Sequence, residues 1–183
     1  MKLKIALSLV VFILGVVYLI TPTPPLPDLS GSIRSDEPGD TWQNPDQKAF
    51  FTNRTRNEVI PEMQAKFSTS LFGITVPSYR LNYRVEESYE FVRDQVKAYY
   101  LEEIIYPFKE SLFVNGWEPT SAPEFRHLSE IDKPQVTFKG ETYLSKVTLR
   151  PVYSALWARL LIWALAFPAT LLVYLSLKRS FRV

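Results

Sequence analysis

Two adjacent glutamates, Glu102 and Glu103, are by residue type the part of this chain closest to acid–base chemistry. Paired carboxylates cleave glycosidic bonds when they face each other across about 5 Å or about 6.5–9.5 Å. Here they fall in a segment whose spacing reads as helix, where neighbours diverge by about 100°, so alone they form no such pair. Glu103 draws attention for another reason. On an ideal helix it lines up with Val85, Tyr89, Val92 and Val96, and a carboxylate on an apolar face is costly unless paired. It either leaves the core as a solvated or ion-paired side chain, or it marks a pocket.

The other candidates are sparse. His127 is the only histidine and there is no cysteine, which removes thiolate nucleophiles, disulfides and cysteine metal sites. A lone imidazole in the loop SAPEFRHLSE reads as surface, and no G-x-S-x-G elbow accompanies it. Asp36, Glu37, Asp40 and Asp46 crowd one polar stretch around Gly39; their oxygens suit Ca²⁺, but the spacing is not that of an EF-hand and solvated turns look the same. The six glycines stand singly, without a phosphate-binding loop. Asn53-Arg54-Thr55 fits the glycosylation pattern, which matters only in a eukaryotic lumen. Arg159 lies near the start of a long apolar run, beside Trp157 and Trp163, and reads as a snorkelling side chain at a membrane boundary. Glu103, Arg159 and His127 are thus the candidate functional residues. No catalytic, cofactor or metal site is assigned.

The elements that must position these residues hang from the chain ends. Leu160 to Leu177 is free of charge, and eighteen residues of helix reach about 27 Å, close to the hydrocarbon thickness of a bilayer. Ile5 to Ile20 is a second apolar run behind Lys2 and Lys4, without a small-residue cleavage site after it. It reads as an uncleaved signal anchor. Basic residues flank the outer ends of both runs, which places both termini in the cytoplasm by the positive-inside rule. All nineteen acidic residues lie between the runs, against fifteen basic ones, so residues 21–152 carry a net charge of about −4. The excess positive charge belongs to the membrane flanks, and nucleic-acid binding is not expected.

Between the runs, PTPPLP (22–27) is expected to be a stiff polyproline spacer, followed to residue 52 by a polar arm. A short helix is predicted over Thr55–Phe67, and strands over Leu71–Val76 and Tyr79–Tyr83. Glu86–Tyr106 lacks Gly and Pro and carries two apolar stripes, so it is predicted as a long central helix stopped by Pro107. Asn115-Gly116 reads as a turn or helix end. Gln135–Val152 is predicted as a hairpin turning at Lys139-Gly140-Glu141, with Tyr143, Val147 and Leu149 on one face.

RSDEPGDTW (34–42) and YYLEEIIYPFKESLFVNGWEP (99–119) resemble stretches of uncharacterised two-span membrane proteins of bacteria. The resemblance implies a shared architecture and carries no activity and no catalytic residues. The expectation is an α+β protein: an anchor at 1–20, spacer and arm at 21–52, one extracytoplasmic domain at 53–152, a second span at 153–177 and a basic tail at 178–183. Its partners would be the lipid bilayer and another envelope protein, with no cofactor. The function expected is a non-enzymatic interaction or assembly module. The alternatives are a polymer-cleaving envelope enzyme and an accessory subunit of a transport or secretion complex.

Overall fold

The computed structural model describes residues 2–84, 99–121, 127–129 and 132–180, and the chain divides into two compact units, Met1–Thr23 with Tyr153–Val183, and Pro24–Val152. Among the described residues there are three α-helices: α1 (Lys2–Ile20), α2 (Arg56–Lys66) and α3 (Leu156–Ser180). The fold is α+β, with an antiparallel sheet in the central unit.

The terminal unit contains α1 and α3, both long and apolar enough to cross a membrane. They touch through aromatic rings. Phe12 stacks on Trp163 with centroids 6.4 Å apart and tilts against Phe167 at 5.4 Å. Trp163 Nε1 donates to the Phe12 carbonyl at 3.1 Å, so the indole dipole is satisfied within the pair. Gly15 permits this approach: a Cβ there would lie 2.2 Å from the Trp163 ring. The small residues Ala166 and Thr170 are used within their own helix, the Thr170 hydroxyl donating to the Ala166 carbonyl at 2.7 Å.

In the central unit the strands are β1 (Ile33–Arg34), β2 (Lys48–Thr52), β3 (Ser70–Leu71), β4 (Ile74–Thr75), β5 (Tyr79–Tyr83), β6 (Tyr100–Ile105), β7 (Ser111–Trp117), β8 (Val136–Phe138), β9 (Glu141–Tyr143) and β10 (Ser145–Val152). Six of them form one sheet in the order β1-β2-β10-β7-β6-β5, while β3-β4 and β8-β9 are separate hairpins. One face of the sheet presents Phe50, Val147, Leu149, Leu112, Val114, Tyr100 and Ile104, and α2 covers it with Val59, Ile60 and Met63. The other face is buried in part by β8-β9, where Phe51 and Phe138 stack at 4.2 Å. Both faces are therefore covered over the middle of the sheet, where β2, β6 and β7 have no exposed position, whereas the edge strands β1 and β5 are largely exposed.

The sequence reading holds for α2, whose Thr55–Glu58 capping box starts it where predicted. It holds for β5, and for the turn at Lys139 and Gly140, both at positive φ. Four elements differ, the first being the strand expected over Leu71–Val76, which is instead the β3-β4 hairpin with its tip at Phe72-Gly73. The predicted central helix is contradicted over its last turns: Tyr100–Ile105 is strand β6, and residues 86–98 of that prediction lie outside the described residues. The physical reason is visible in YLEEII: three of the six residues, Tyr100, Ile104 and Ile105, are aromatic or β-branched, and Tyr100, Glu102 and Ile104 alternate with Leu101, Glu103 and Ile105 at the strand period. Asn115-Gly116 is not a turn but the interior of β7. Gly116 is there because the Tyr100 ring crosses it; a Cβ would sit 2.1 Å from Tyr100 Cζ. The expected hairpin strand is divided as well, Tyr143 ending β9 while Val147 and Leu149 belong to β10 in the main sheet.

Of the expected spacer and arm, residues 24–52 belong to the central unit and residues 21–23 to the terminal one. Leu29 is core, β1 and β2 belong to the sheet, and the Lys48 ammonium holds the Leu26 carbonyl at 2.8 Å and Asp28 at 2.6 Å. Glu62 on α2 locks this segment down. Its carboxylate pairs with Lys66 at 2.7 Å and with Arg54, and accepts the Ser30 amide at 2.9 Å. Burial pushes this carboxyl up, but the bonds from Lys66, Arg54 and Ser30 outweigh it and hold it at about 2, below the ordinary 4.5.

A depressed carboxyl contributes stability that is full above its unfolded value and lost as pH falls through the folded one. Glu62→Gln should therefore lower stability at pH 7 by about 1–2 kcal/mol, discounting for the partly exposed lysine and arginine. The gap to the parent should close between about pH 4.5 and pH 2. Chemical denaturation of the detergent-solubilised chain across that range measures it, and a gap independent of pH would contradict the assignment.

Candidate functional site

Strand geometry separates the two adjacent glutamates. Successive side chains of β6 alternate between faces, so Glu102 enters the layer under α2 and Glu103 points the opposite way. They do not face each other across a cleft.

Glu102 is 1% exposed, as buried as its apolar neighbours. Two arginines from different elements neutralise it. Arg56 opens α2 directly after the Thr55 cap, and its Nε and Nη2 both lie 2.6 Å from Oε1. Arg80 on β5 stands one register step away, paired with Ile104, and its Nε is 3.1 Å from Oε2. The positive end of the α2 dipole adds to the same field. The Arg56 guanidinium also sits 5.7 Å above the Tyr100 ring. Burial pushes the Tyr100 phenol well above its usual range, and the negative charges of Glu118 and Glu102 push it further, so Tyr100 is protonated at any physiological pH. The cluster is a charge lock: Arg56 hydrogen-bonds Oε1, while Arg80 neutralises Oε2 as an ion pair without a hydrogen bond.

Glu103 is half-buried and ends a small hydroxyl cage. It accepts from Tyr83 at 2.5 Å and, more closely still, from the Ser111 hydroxyl. Tyr83 is braced by Phe113 at 5.6 Å. Burial, then the hydrogen bond to Glu103 and its charge, push the Tyr83 phenol up to about 12. The expectation that Glu103 shares a helical apolar stripe is corrected here: it is a strand residue facing away from Ile104, and two hydroxyls solvate its charge.

The remaining candidates do not join it. His127 is exposed in a turn, and no hydrogen bond links it to Glu103 among the described residues. Arg159 is half-buried in the second turn of α3 and belongs to the terminal unit. In the acidic arm, Asp36 pairs with Lys139, and Lys146 bridges Glu37 at 2.8 Å and Asp40 at 2.7 Å. Those carboxylates pin the arm to the sheet, and among the described residues no group of three or more His, Asp or Glu is set to hold a metal. Arg56, Arg80, Tyr100 and Gly116 were not singled out from the sequence. Only the alternation in YLEEII could have placed Glu102 inward and so called for cationic partners. Scans against family models, curated proteins and solved structures find no match to this chain.

Glutamine substitutions distinguish the two environments. Glu102→Gln leaves two arginines facing a neutral amide and should destabilise by about 3 kcal/mol. Glu103→Gln keeps an acceptor for the hydroxyls and should cost about 1 kcal/mol. It should also lower the Tyr83 phenol from about 12, with burial still holding it above its ordinary 10, seen as a change in alkaline ultraviolet absorbance that Tyr83→Phe abolishes. Equal stability losses for the two variants would refute the contrast.

Proposed function

We propose that this chain is a membrane-anchored interaction module, non-enzymatic, with both termini cytoplasmic and residues 24–152 presented outside the membrane to another envelope protein. One observation carries this reading: β5 ends the six-stranded sheet, and among the described residues no strand pairs with its outer side. The edge is five residues long, and it displays Tyr79 and Leu81 at 62% and 46% exposure. A free edge of this kind accepts a strand from a partner, with backbone hydrogen bonds for affinity and alternate side chains for selection. The carboxylate geometry does not favour the polymer-cleaving alternative, since Glu102 and Glu103 diverge and each is already bonded. An accessory role in a larger transport or secretion complex would use the same edge.

The anchoring half of the proposal has support in the central unit. Lys48 opens β2 beside Leu149, toward the Val152 end of β10, and it grips Leu26 and Asp28. Both chain exits of this unit, the segment before Asp28 and Val152, therefore leave from one end of the sheet, as two spans require.

In right-side-out vesicles, added protease should degrade residues 24–152 and spare short tags on both termini; digestion of either tag refutes the topology. A photo-crosslinking residue at Leu81 in intact membranes should give a discrete protein adduct that Asn82→Pro abolishes by disrupting the edge. Equal crosslinking from Lys139, in an exposed turn away from β5, would refute edge recognition.

A further inference from the structure

Among the described residues, three non-glycine residues adopt positive φ: Phe72 at 51°, Phe108 at 57° and Lys139 at 52°. Lys139 suits such a turn, being charged, exposed and ion-paired with Asp36. The two phenylalanines do not. Phe72 and Gly73 form the two-residue tip of the β3-β4 hairpin, where Asn-Gly is the ordinary choice. Phe108 is third in the turn Tyr106-Pro107-Phe108-Lys109, closed by the Lys109 amide on the Tyr106 carbonyl at 3.1 Å, a place where glycine is preferred. Burial does not reward the strain at Phe72, which is 75% exposed beside Ile74 at 74%; Phe108 exposes 46% of its surface.

Both turns connect along the chain to one end of the sheet. Val152, Ser111, Ile105 and Tyr79 form a continuous row across β10, β7, β6 and β5. The Phe108 turn joins the two middle members of that row. The Phe72 hairpin precedes Tyr79 by three residues, its base closed by the Val76 amide on the Thr69 carbonyl at 3.0 Å. Tyr106 contacts Phe67, the residue that ends α2 and leads into this hairpin. The same end releases Val152, and only residues 153–155 separate it from α3, a reach of at most about 14 Å.

We propose that Phe72, Ile74 and Phe108 form a lipid-contacting surface that enters the interfacial zone of the bilayer to which the chain is anchored. This rests on the anchoring half of the proposed function. Bulky apolar residues at rigid turn tips favour the boundary between headgroups and acyl chains. Val152, at this end of the sheet, passes through only residues 153–155 into α3, and the strained backbone at Phe72, an exposed tip where asparagine or glycine would relax, is explained by contact made outside the fold.

The chain has no cysteine, so single-cysteine variants report position cleanly. Phe72→Cys and Phe108→Cys, labelled with an environment-sensitive fluorophore in phosphatidylcholine liposomes, should shift to the blue and be quenched about twofold by shallow spin-labelled lipid. Trp42→Cys is the control: this tryptophan is 73% exposed but follows Asp40, which pairs with Lys146 at the far end of β10, and its label should stay unquenched. Leu172→Cys in α3 reports the anchor and should be quenched by deep spin label. If Leu172 is quenched but Phe72 and Phe108 behave like Trp42, the lipid surface is wrong and the anchor stands. If Leu172 is not quenched, both fail. Phe72→Asn supplies a second measurement independent of labelling. It should raise the melting temperature in detergent by relieving the turn, and this gain should shrink or reverse in liposomes; an equal gain in both overturns the proposal.

Discussion

The burial of a full carboxylate at Glu102 is the constraint on which the central unit depends. An isolated charge in such a place costs several kcal/mol, and it survives only where opposite charges and hydrogen bonds converge on it. Here they come from the first residue of α2 and from the edge strand β5. The helix must therefore begin where its capping box puts it, and β5 must keep its register on β6, or an uncompensated charge is left in the core. Hydrophobic contact between Val59, Ile60, Met63 and the sheet supplies most of the adhesion, but it is tolerant of sliding. The charge lock is not. It fixes α2 against the two strands with a specificity that apolar packing lacks.

A second lock, centred on Glu62, does for the N-terminal segment what Glu102 does for the sheet. Ser30, Arg54 and Lys66 meet on one carboxylate, and Asp28 and Leu26 are held by Lys48. A proline-rich segment without internal hydrogen bonds is thereby turned from a tether into part of the wall. With no disulfide available, these charge contacts fix the path of the chain at the point where it leaves the unit.

Much of this was legible in the sequence, and the failures share one cause. The apolar terminal runs, the capped helix at 56–66, β5 and the Lys139-Gly140 turn all follow from local patterns that tertiary structure left unchanged. The errors fall where a local signal was ambiguous and a distant partner decided it. YLEEII satisfies both a helical stripe and strand alternation, and its pairing with β5 and β7 selects the strand. Asn115-Gly116 has turn chemistry, yet the glycine answers to the Tyr100 ring stacked across it from the next strand. The same ambiguity misdirected the search for a site. Read as helix, Glu103 was the anomalous carboxylate; on a strand the anomaly passes to Glu102, one residue away and on the other face.

What the fold explains also isolates what it does not. Consistent sequences place each residue where local preference and global packing agree, so a breach of local rules is informative only if nothing inside the structure compensates it. Glu102 breaks the rule against buried charge, and two arginines compensate. Gly116 weakens a strand interior, and the Tyr100 ring fills the space. Lys139 takes a left-handed backbone at an ion-paired, solvated tip. Phe72 and Phe108 take the same backbone at a cost of about 1 kcal/mol or more each and then expose much of their rings to solvent. No ion pair or core contact within the central unit balances that combination at Phe72, the more exposed of the two, among the described residues. The imbalance sits at the end of the sheet from which the chain departs toward α3, which is where the proposed lipid contact would offset it.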